Sequence, residues 1–127
     1  MNSNRSEKIL QEKLQSSFEE IILILKSLGT PNRLKILILL LDGPKIFQEL
    51  KEALDLGSTA LSNHLSLLKK ASLIDKIHHG YYRITNNGIE YLQGFVSAFE
   101  ETQTNEAKER EILQRKQMMD SFLNRRN

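Results

Sequence analysis

Between Ser6 and Leu28 the apolar residues Leu10, Leu14, Phe18, Ile21, Leu25 and Leu28 recur at spacings of 4, 4, 3, 4 and 3. That stripe, widened by Ile9 and Ile22, predicts one amphipathic helix over 6–28 with a near-heptad period. About six turns of apolar stripe exceed what a small domain needs to cover its own core. Part of it is therefore expected to face a second subunit, the alternative being packing within one chain. Gly29-Thr30-Pro31 then ends this helix and opens the next, with Thr30 as N-cap and Pro31 at the first helical position, where a missing N–H costs nothing. Asn32 to Leu41 is so apolar that it predicts a short, central, buried helix, stopped by Asp42-Gly43-Pro44. Lys45 to Leu54 predicts a third helix, with Ile46, Phe47, Leu50, Ala53 and Leu54 inward.

After an Asp55-Leu56-Gly57 turn the pattern restarts. Leu61, Leu65 and Leu68 form an inward stripe on a fourth helix, Gly57 to Lys70, with Ser58 and Thr59 able to cap its start. Ala71 and Ser72 end it. Leu73 to His78 alternates as a short strand does, His79-Gly80 predicts a tight turn, and Tyr81 to Ile84 returns as the partner strand. Two strands are marginal alone, so this hairpin must lean on the helices. Thr85-Asn86-Asn87-Gly88 caps a last helical segment carrying Ile89, Leu92, Phe95, Val96 and Phe99. Glu100 to Glu111 is nearly all polar, and apolar residues return at Ile112, Leu113, Met118, Met119, Phe122 and Leu123. The arm over 86–123 is thus one long helix or two, with a restart near Thr104 or Asn105, and residues 124–127 are expected to fray.

The predicted fold is mainly α with a small β-hairpin: a winged helix-turn-helix core over 29–85 between an N-terminal dimerisation helix at 6–28 and a C-terminal helical dimerisation arm at 86–123. At 127 residues there is room for one domain with one core. The helix-turn-helix follows from the glycine-containing turn between the third and fourth helices, which anchors the second of them by its inward stripe and turns its other face out. That face holds Ser58, Thr59, Ser62, Asn63 and Ser66, then Lys69 and Lys70. Serine, threonine and asparagine are poor helix formers, so five of them on one exposed face point to a task other than helix stability. Their short side chains suit a major groove about 12 Å wide, an asparagine can bond both N7 and N6 of adenine, and the lysines can hold phosphates. The plainer reading is that Ser58 and Thr59 only cap and Ser66 is neutral surface.

Charge sharpens this picture. The chain's net +2 divides into 0 over 1–28, +3 over 29–85 and −1 over 86–127, and no carboxylate lies between Leu56 and Ile74. A basic centre is a modest footprint for a polyanion. His78 and His79 at the wing tip, with Lys76 and Arg83 beside them, can touch phosphate or a minor groove, although a solvated turn explains them equally well. As neighbours on a strand they point to opposite faces and make a poor metal pair. His64, three residues after Leu61, is expected to be a half-buried, hydrogen-bonded residue and not a ligand.

The absence of cysteine excludes disulfides and thiolate chemistry. No phosphate loop, histidine-carboxylate zinc spacing or nucleophile motif is present, so no enzyme and no cofactor is expected. The polar N-terminus and the short apolar runs predict neither a signal peptide nor a membrane span, and hence a cytoplasmic protein.

The run from Leu28 to Ile84 resembles the winged-helix core of the ArsR-type regulators, a family of dimeric prokaryotic repressors. The resemblance rests on the Leu-Gly-Thr-Pro-x-Arg-Leu entry (Leu28 to Leu34), the Ser-x-His-Leu-x-x-Leu run (Ser62 to Leu68) and the ending Tyr81-Tyr82-Arg83-Ile84. Thr85 to Gly88 leading into a helix is similar to the wing-to-helix junction of MarR- and PadR-like regulators. The resemblance implies a homodimer on double-stranded DNA, with repression as its consequence, and it places His64 in the recognition-helix motif, which leaves an indirect DNA role open to that residue. Many ArsR-type proteins sense metals through a Cys-x-Cys on the third helix or through aspartate and histidines on the last. Lys45 to Leu50 offers no soft ligand and the last helix no histidine, so neither metal site is expected and the effector stays unassigned. The rival reading is a winged helix that binds protein, or a subunit of a larger complex, without reading DNA.

Overall fold

The computed structural model describes the backbone of residues 2–125 and the side chains of 4–124. Six helices and three strands follow one another as α1 (Asn2–Ser16), α2 (Phe18–Leu28), α3 (Pro31–Leu40), β1 (Lys45–Ile46), α4 (Phe47–Leu54), α5 (Ser58–Lys70), β2 (Ile74–Lys76), β3 (Tyr81–Ile84) and α6 (Asn86–Arg125). This is a mainly helical winged helix-turn-helix, as the hydrophobic pattern predicts. The chain divides into two compact units, 1–89 and 90–127.

The core of the first unit is aliphatic. Leu61, Leu65 and Leu68 of α5 are buried together with Ile36, Leu37 and Leu40 of α3, Leu50 of α4, and Leu73 and Ile74 at the entry to β2. Each such side chain contributes roughly 1.5–3 kcal/mol of apolar burial. Alpha-5 is thus fixed along one row and leaves its opposite row to solvent. The turn before it is set by Asp55, in the left-handed region at φ 51°, with the Leu56 N–H donating to the Lys51 carbonyl at 3.2 Å. That bond closes α4 in the manner of a Schellman motif. Gly57, by contrast, sits at φ −71° with open space around it.

Several predicted boundaries move. The helix expected over 6–28 is divided at Ser17, where φ −115° and ψ 23° interrupt the helical backbone. Its apolar stripe remains uncovered, with Leu10, Leu14, Phe18 and Leu25 all exposed. Alpha-3 is less enclosed than its composition suggests: Ile36, Leu37 and Leu40 are buried on one side, but Ile38 and Leu41 are exposed on the other. A helix apolar all round can still bury only the rows its neighbours reach.

Lys45 and Ile46 are not helical. They are held extended by antiparallel pairing with β3, in the register Lys45↔Tyr82 and Ile46↔Tyr81, and α4 starts only at Phe47. The expected hairpin is therefore a three-stranded sheet of order β1-β3-β2, with Asp75↔Arg83 and Lys76↔Tyr82 across its other seam. Beta-1 covers what would be an open edge of β3. The turn between β2 and β3 is a short 3-10 segment, His78–Gly80, with His79 at φ 61° and Gly80 at φ 77°.

Within the run Thr85 to Gly88 expected to cap the last helix, Thr85 is the N-cap of α6. Its Oγ1 accepts from the Gly88 N–H at 3.0 Å and donates to the Ser72 carbonyl at 2.7 Å. Alpha-6 is one continuous helix of 40 residues, which settles the one-or-two alternative. Of the residues expected to fray, 126 and 127 lie outside those described.

Candidate nucleic-acid interface

At about 100° per residue, Thr59, Asn63, Ser66 and Lys70 fall in one row of α5, opposite the buried Leu61, Leu65 and Leu68. Ser58, Ser62 and Lys69 form a second row on one flank. All seven predicted residues of this helix are exposed, and among the described residues none of them accepts or donates a side-chain hydrogen bond. Neither Ser58 nor Thr59 caps the helix: the N-cap is Gly57, and no side chain bonds the first turn. The plainer explanation for those two residues is thereby removed. Their hydroxyls, with the amide of Asn63, are unpaired donors and acceptors on a surface whose last turn carries two cations, Lys69 and Lys70, against which no carboxylate is placed.

The wing is less uniform. His78 and His79 are exposed at its tip, where His79 takes a left-handed conformation. Arg83, in contrast, reaches across the sheet to Asp75, Nη2 to Oδ2 at 3.5 Å, with both side chains about half exposed. An exposed pair of this kind contributes little, about 0–1 kcal/mol, and opens readily toward a stronger anion. Lys76 lies with its Nζ 5.6 Å from the centre of the Tyr82 ring. The structure thus brings seven predicted residues together on α5, and leaves His78, His79 and Arg83 on a separate hairpin.

The pattern along the chain does not reveal Arg33. It stands in the first turn of α3, which carries no acidic residue. A cation at a helix N-terminus is disfavoured by the helix dipole, so Arg33 must be held by something outside its own helix. Its Nη2 donates to the Lys26 carbonyl at 2.7 Å, in the negative last turn of α2, and to Thr30 Oγ1. Its Nη1 lies 3.3 Å from Nδ1 of His64 on α5. One guanidinium therefore ties the end of α2, the start of α3 and the middle of α5. An arginine at the wrong end of a helix dipole, three residues after a threonine N-cap, was the available signal. His64 is half-buried and hydrogen-bonded, as its spacing predicts.

Burial, and next the adjacent Arg33 charge, hold the His64 imidazole below the ordinary histidine range. The folded protein thus prefers the neutral ring. The His64 contribution to stability is complete above the unfolded value of about 6.5 and is lost as pH falls from there through the lowered folded value. Thermal melts between pH 7.5 and 5 should show wild type losing more Tm than His64→Gln over that window. Parallel profiles would remove the assignment.

This is a helix-turn-helix whose second helix is anchored by leucines and presents a carboxylate-free polar row, followed by a three-stranded wing. Residues 30–76 match the family of bacterial regulatory proteins named arsR. The transcriptional activator HlyU of Vibrio cholerae is 38% identical over 66 residues, a segment that makes up 52% of this chain and 60% of HlyU. Among solved structures, NolR of Sinorhizobium fredii superposes with a TM-score of 0.60 at 24% identity, covering 68% of this chain and 90% of NolR. The homodimeric winged helix-turn-helix DNA-binding domain of a possible ArsR-family regulator from Mycobacterium bovis gives 0.58 at 25%, covering 69% and 84%. Residues 30–76 are thus similar to the arsR family of bacterial regulatory proteins, and the fold is that of a winged helix-turn-helix.

Proposed function

We propose that the chain is a sequence-specific, DNA-binding transcriptional regulator that acts in the cytoplasm as a homodimer on an inverted repeat. The observation that carries this reading is the exposed row Thr59, Asn63, Ser66 and Lys70 on the second helix of the helix-turn-helix, opposite its leucine anchor and free of carboxylates. Asn63 reads a base edge, the hydroxyls of Ser58, Thr59, Ser62 and Ser66 reach bases or phosphates, and Lys69 and Lys70 hold the backbone. The wing, through His78, His79 and Arg83 released from Asp75, adds phosphate contacts beside the groove. Two such helices in one dimer favour half-sites about 34–36 Å apart, or a multiple of that. Repression by occupying a promoter is the default consequence. Among similar proteins BigR of Xylella fastidiosa is described as a repressor and HlyU as an activator, so the same domain is used with either sign. Among the described residues no helix is long and apolar enough to cross a membrane, which is compatible with this placement.

The test is duplex selection from random sequence followed by titration of the selected site. Affinity should fall about a hundredfold between 50 and 200 mM salt if the two lysines of each subunit contact phosphate. Asn63→Ala should lower the preference for the selected site over a scrambled one by about 5- to 150-fold, with a smaller change on the scrambled duplex. A protein that ignores duplex at 50 mM salt and co-purifies in fixed ratio with another protein would instead be an interaction module.

A further inference from the structure

We infer that His64 is a phosphate-binding residue of α5, fixed by Arg33 as the neutral ring that carries its proton on Nε2. This inference rests on the DNA-binding reading above and names a contact within it.

A guanidinium can only donate hydrogen bonds. With Arg33 Nη1 3.3 Å from His64 Nδ1, Nδ1 must therefore be the acceptor and carry no proton. A neutral imidazole has one N–H, so that N–H is on Nε2. Arg33 is itself held in place by the Lys26 carbonyl and Thr30, so the choice of tautomer is built into the junction of three helices. The outer nitrogen has no such partner. Among the described residues the one buried side-chain nitrogen or oxygen without a hydrogen bond is Arg33 Nε. Among the described residues Nε2 of His64 has no hydrogen-bond partner, and it is not one of the buried unpaired atoms, so it meets solvent.

The position on the helix says what that donor can reach. At about 100° per residue His64 lies between the inward row of Leu61, Leu65 and Leu68 and the outward row of Asn63 and Lys70, on the flank away from Ser58, Ser62 and Lys69. When the outward row enters a groove, its two flanks face the phosphate walls and not the base edges. Ser62 and Lys69 address one wall, and the His64 Nε2–H addresses the other. Its role is to set how deeply and at what angle Asn63 enters. Arg33 is a positioning residue that acts through His64.

Two readouts test this. In the DNA-free protein at pH 7.5, long-range imidazole nitrogen NMR should show His64 Nδ1 unprotonated and Nε2 protonated, with Arg33→Lys giving a mixture. A Nδ1–H tautomer in the wild type would overturn the inference. On duplex, the two amide replacements separate the ring's two ends by reach: His64→Gln carries its amide N–H to the place of Nε2, and the amide of His64→Asn extends only as far as Nδ1, so that no donor reaches the place of Nε2. We expect His64→Gln to bind within about twofold of wild type and His64→Asn to lose about tenfold. The loss should be equal on selected and scrambled sites, with an unchanged salt slope because the lost donor is neutral. His64→Asn with wild-type affinity, or His64→Gln losing as much as His64→Asn, overturns the contact while duplex binding itself stands. A wild-type protein that ignores duplex fails the DNA-binding reading and the contact with it. Circular dichroism melts of each variant separate loss of contact from loss of fold.

Discussion

Gly88→Ala should destabilise the protein by about 3 kcal/mol, at the upper end of the cost of overpacking, and lower Tm by roughly 10 °C for a chain of this size. A Cβ at this position would lie 2.6 Å from the Leu73 carbonyl oxygen and 2.7 Å from the Ile84 side chain. Neither neighbour is free to yield. The Leu73 carbonyl already accepts the Thr85 N–H at 3.0 Å, and Thr85 in turn caps α6 and holds the Ser72 carbonyl. Moving one strand end therefore disturbs the cap, the end of α5 and the entry to β2 together. Gly57→Ala provides the contrast, because its φ is ordinary and nothing lies within 4 Å of the added methyl. It should cost no more than about 1 kcal/mol, the preference of an N-cap position for glycine over alanine. Urea melts of the two variants would decide the matter: a Gly88→Ala shift under about 1 kcal/mol would mean that the close approach at the wing-to-arm junction is not a real constraint.

These two glycines also show where sequence reading succeeds and where it stops. The local signals were legible: Thr85-Asn86-Asn87-Gly88 reads as a helix start, and the i, i+4, i+7 leucines of α5 read as an anchor with an outward face. Both are properties of consecutive residues. The importance of Gly88 beyond the cap is not local, because it depends on where Leu73 and Ile84 arrive. The same holds for Lys45 and Ile46, whose side chains fit a helix beginning at Lys45 but whose backbone pairs with Tyr82 and Tyr81, some 35 residues away. Non-local pairing leaves no periodicity to find. The glycine of the helix-turn-helix was a signal read for the wrong reason, since the strained conformation of that turn falls on Asp55.

The candidate site was legible to a similar depth. The seven residues of α5 are set by helical phase alone, so the sequence determines which row they occupy once the leucine stripe is recognised. Arg83 could be seen as a wing cation but not as the partner of Asp75, because the Asp75↔Arg83 register exists only once the sheet has formed. Arg33 and His64, 31 residues apart, are joined only by the packing of α3 on α5.

The largest functional effect is expected from Leu14→Glu with Phe18→Glu. Both side chains are about half exposed in the isolated chain, in line with exposed Leu10 and Leu25, so charge there should leave the subunit folded. An exposed apolar row of this kind, carried across the break at Ser17, is a surface a partner subunit would cover, and in a two-fold dimer the introduced carboxylates would face their own symmetry mates and repel them. The proposed dimer should dissociate to monomer at micromolar concentration in sedimentation equilibrium, with unchanged helical content. Affinity for an inverted repeat should fall by roughly 10²- to 10⁴-fold, because the second half-site is no longer held at a high effective concentration. Affinity for a single half-site should stay as it was. The arm adds a separate surface: Phe95 and Phe99 stack at 6.3 Å on one side of α6, whereas Met119, 20 residues beyond Phe99, is turned by about 200° to the other. A partner helix lying along one side can cover one of these stripes and not both. If the double glutamate variant stays dimeric, pairing runs through the arm instead, and Phe95→Glu with Phe99→Glu should then produce the monomer; a chain that is monomeric before any substitution would remove the inverted-repeat architecture.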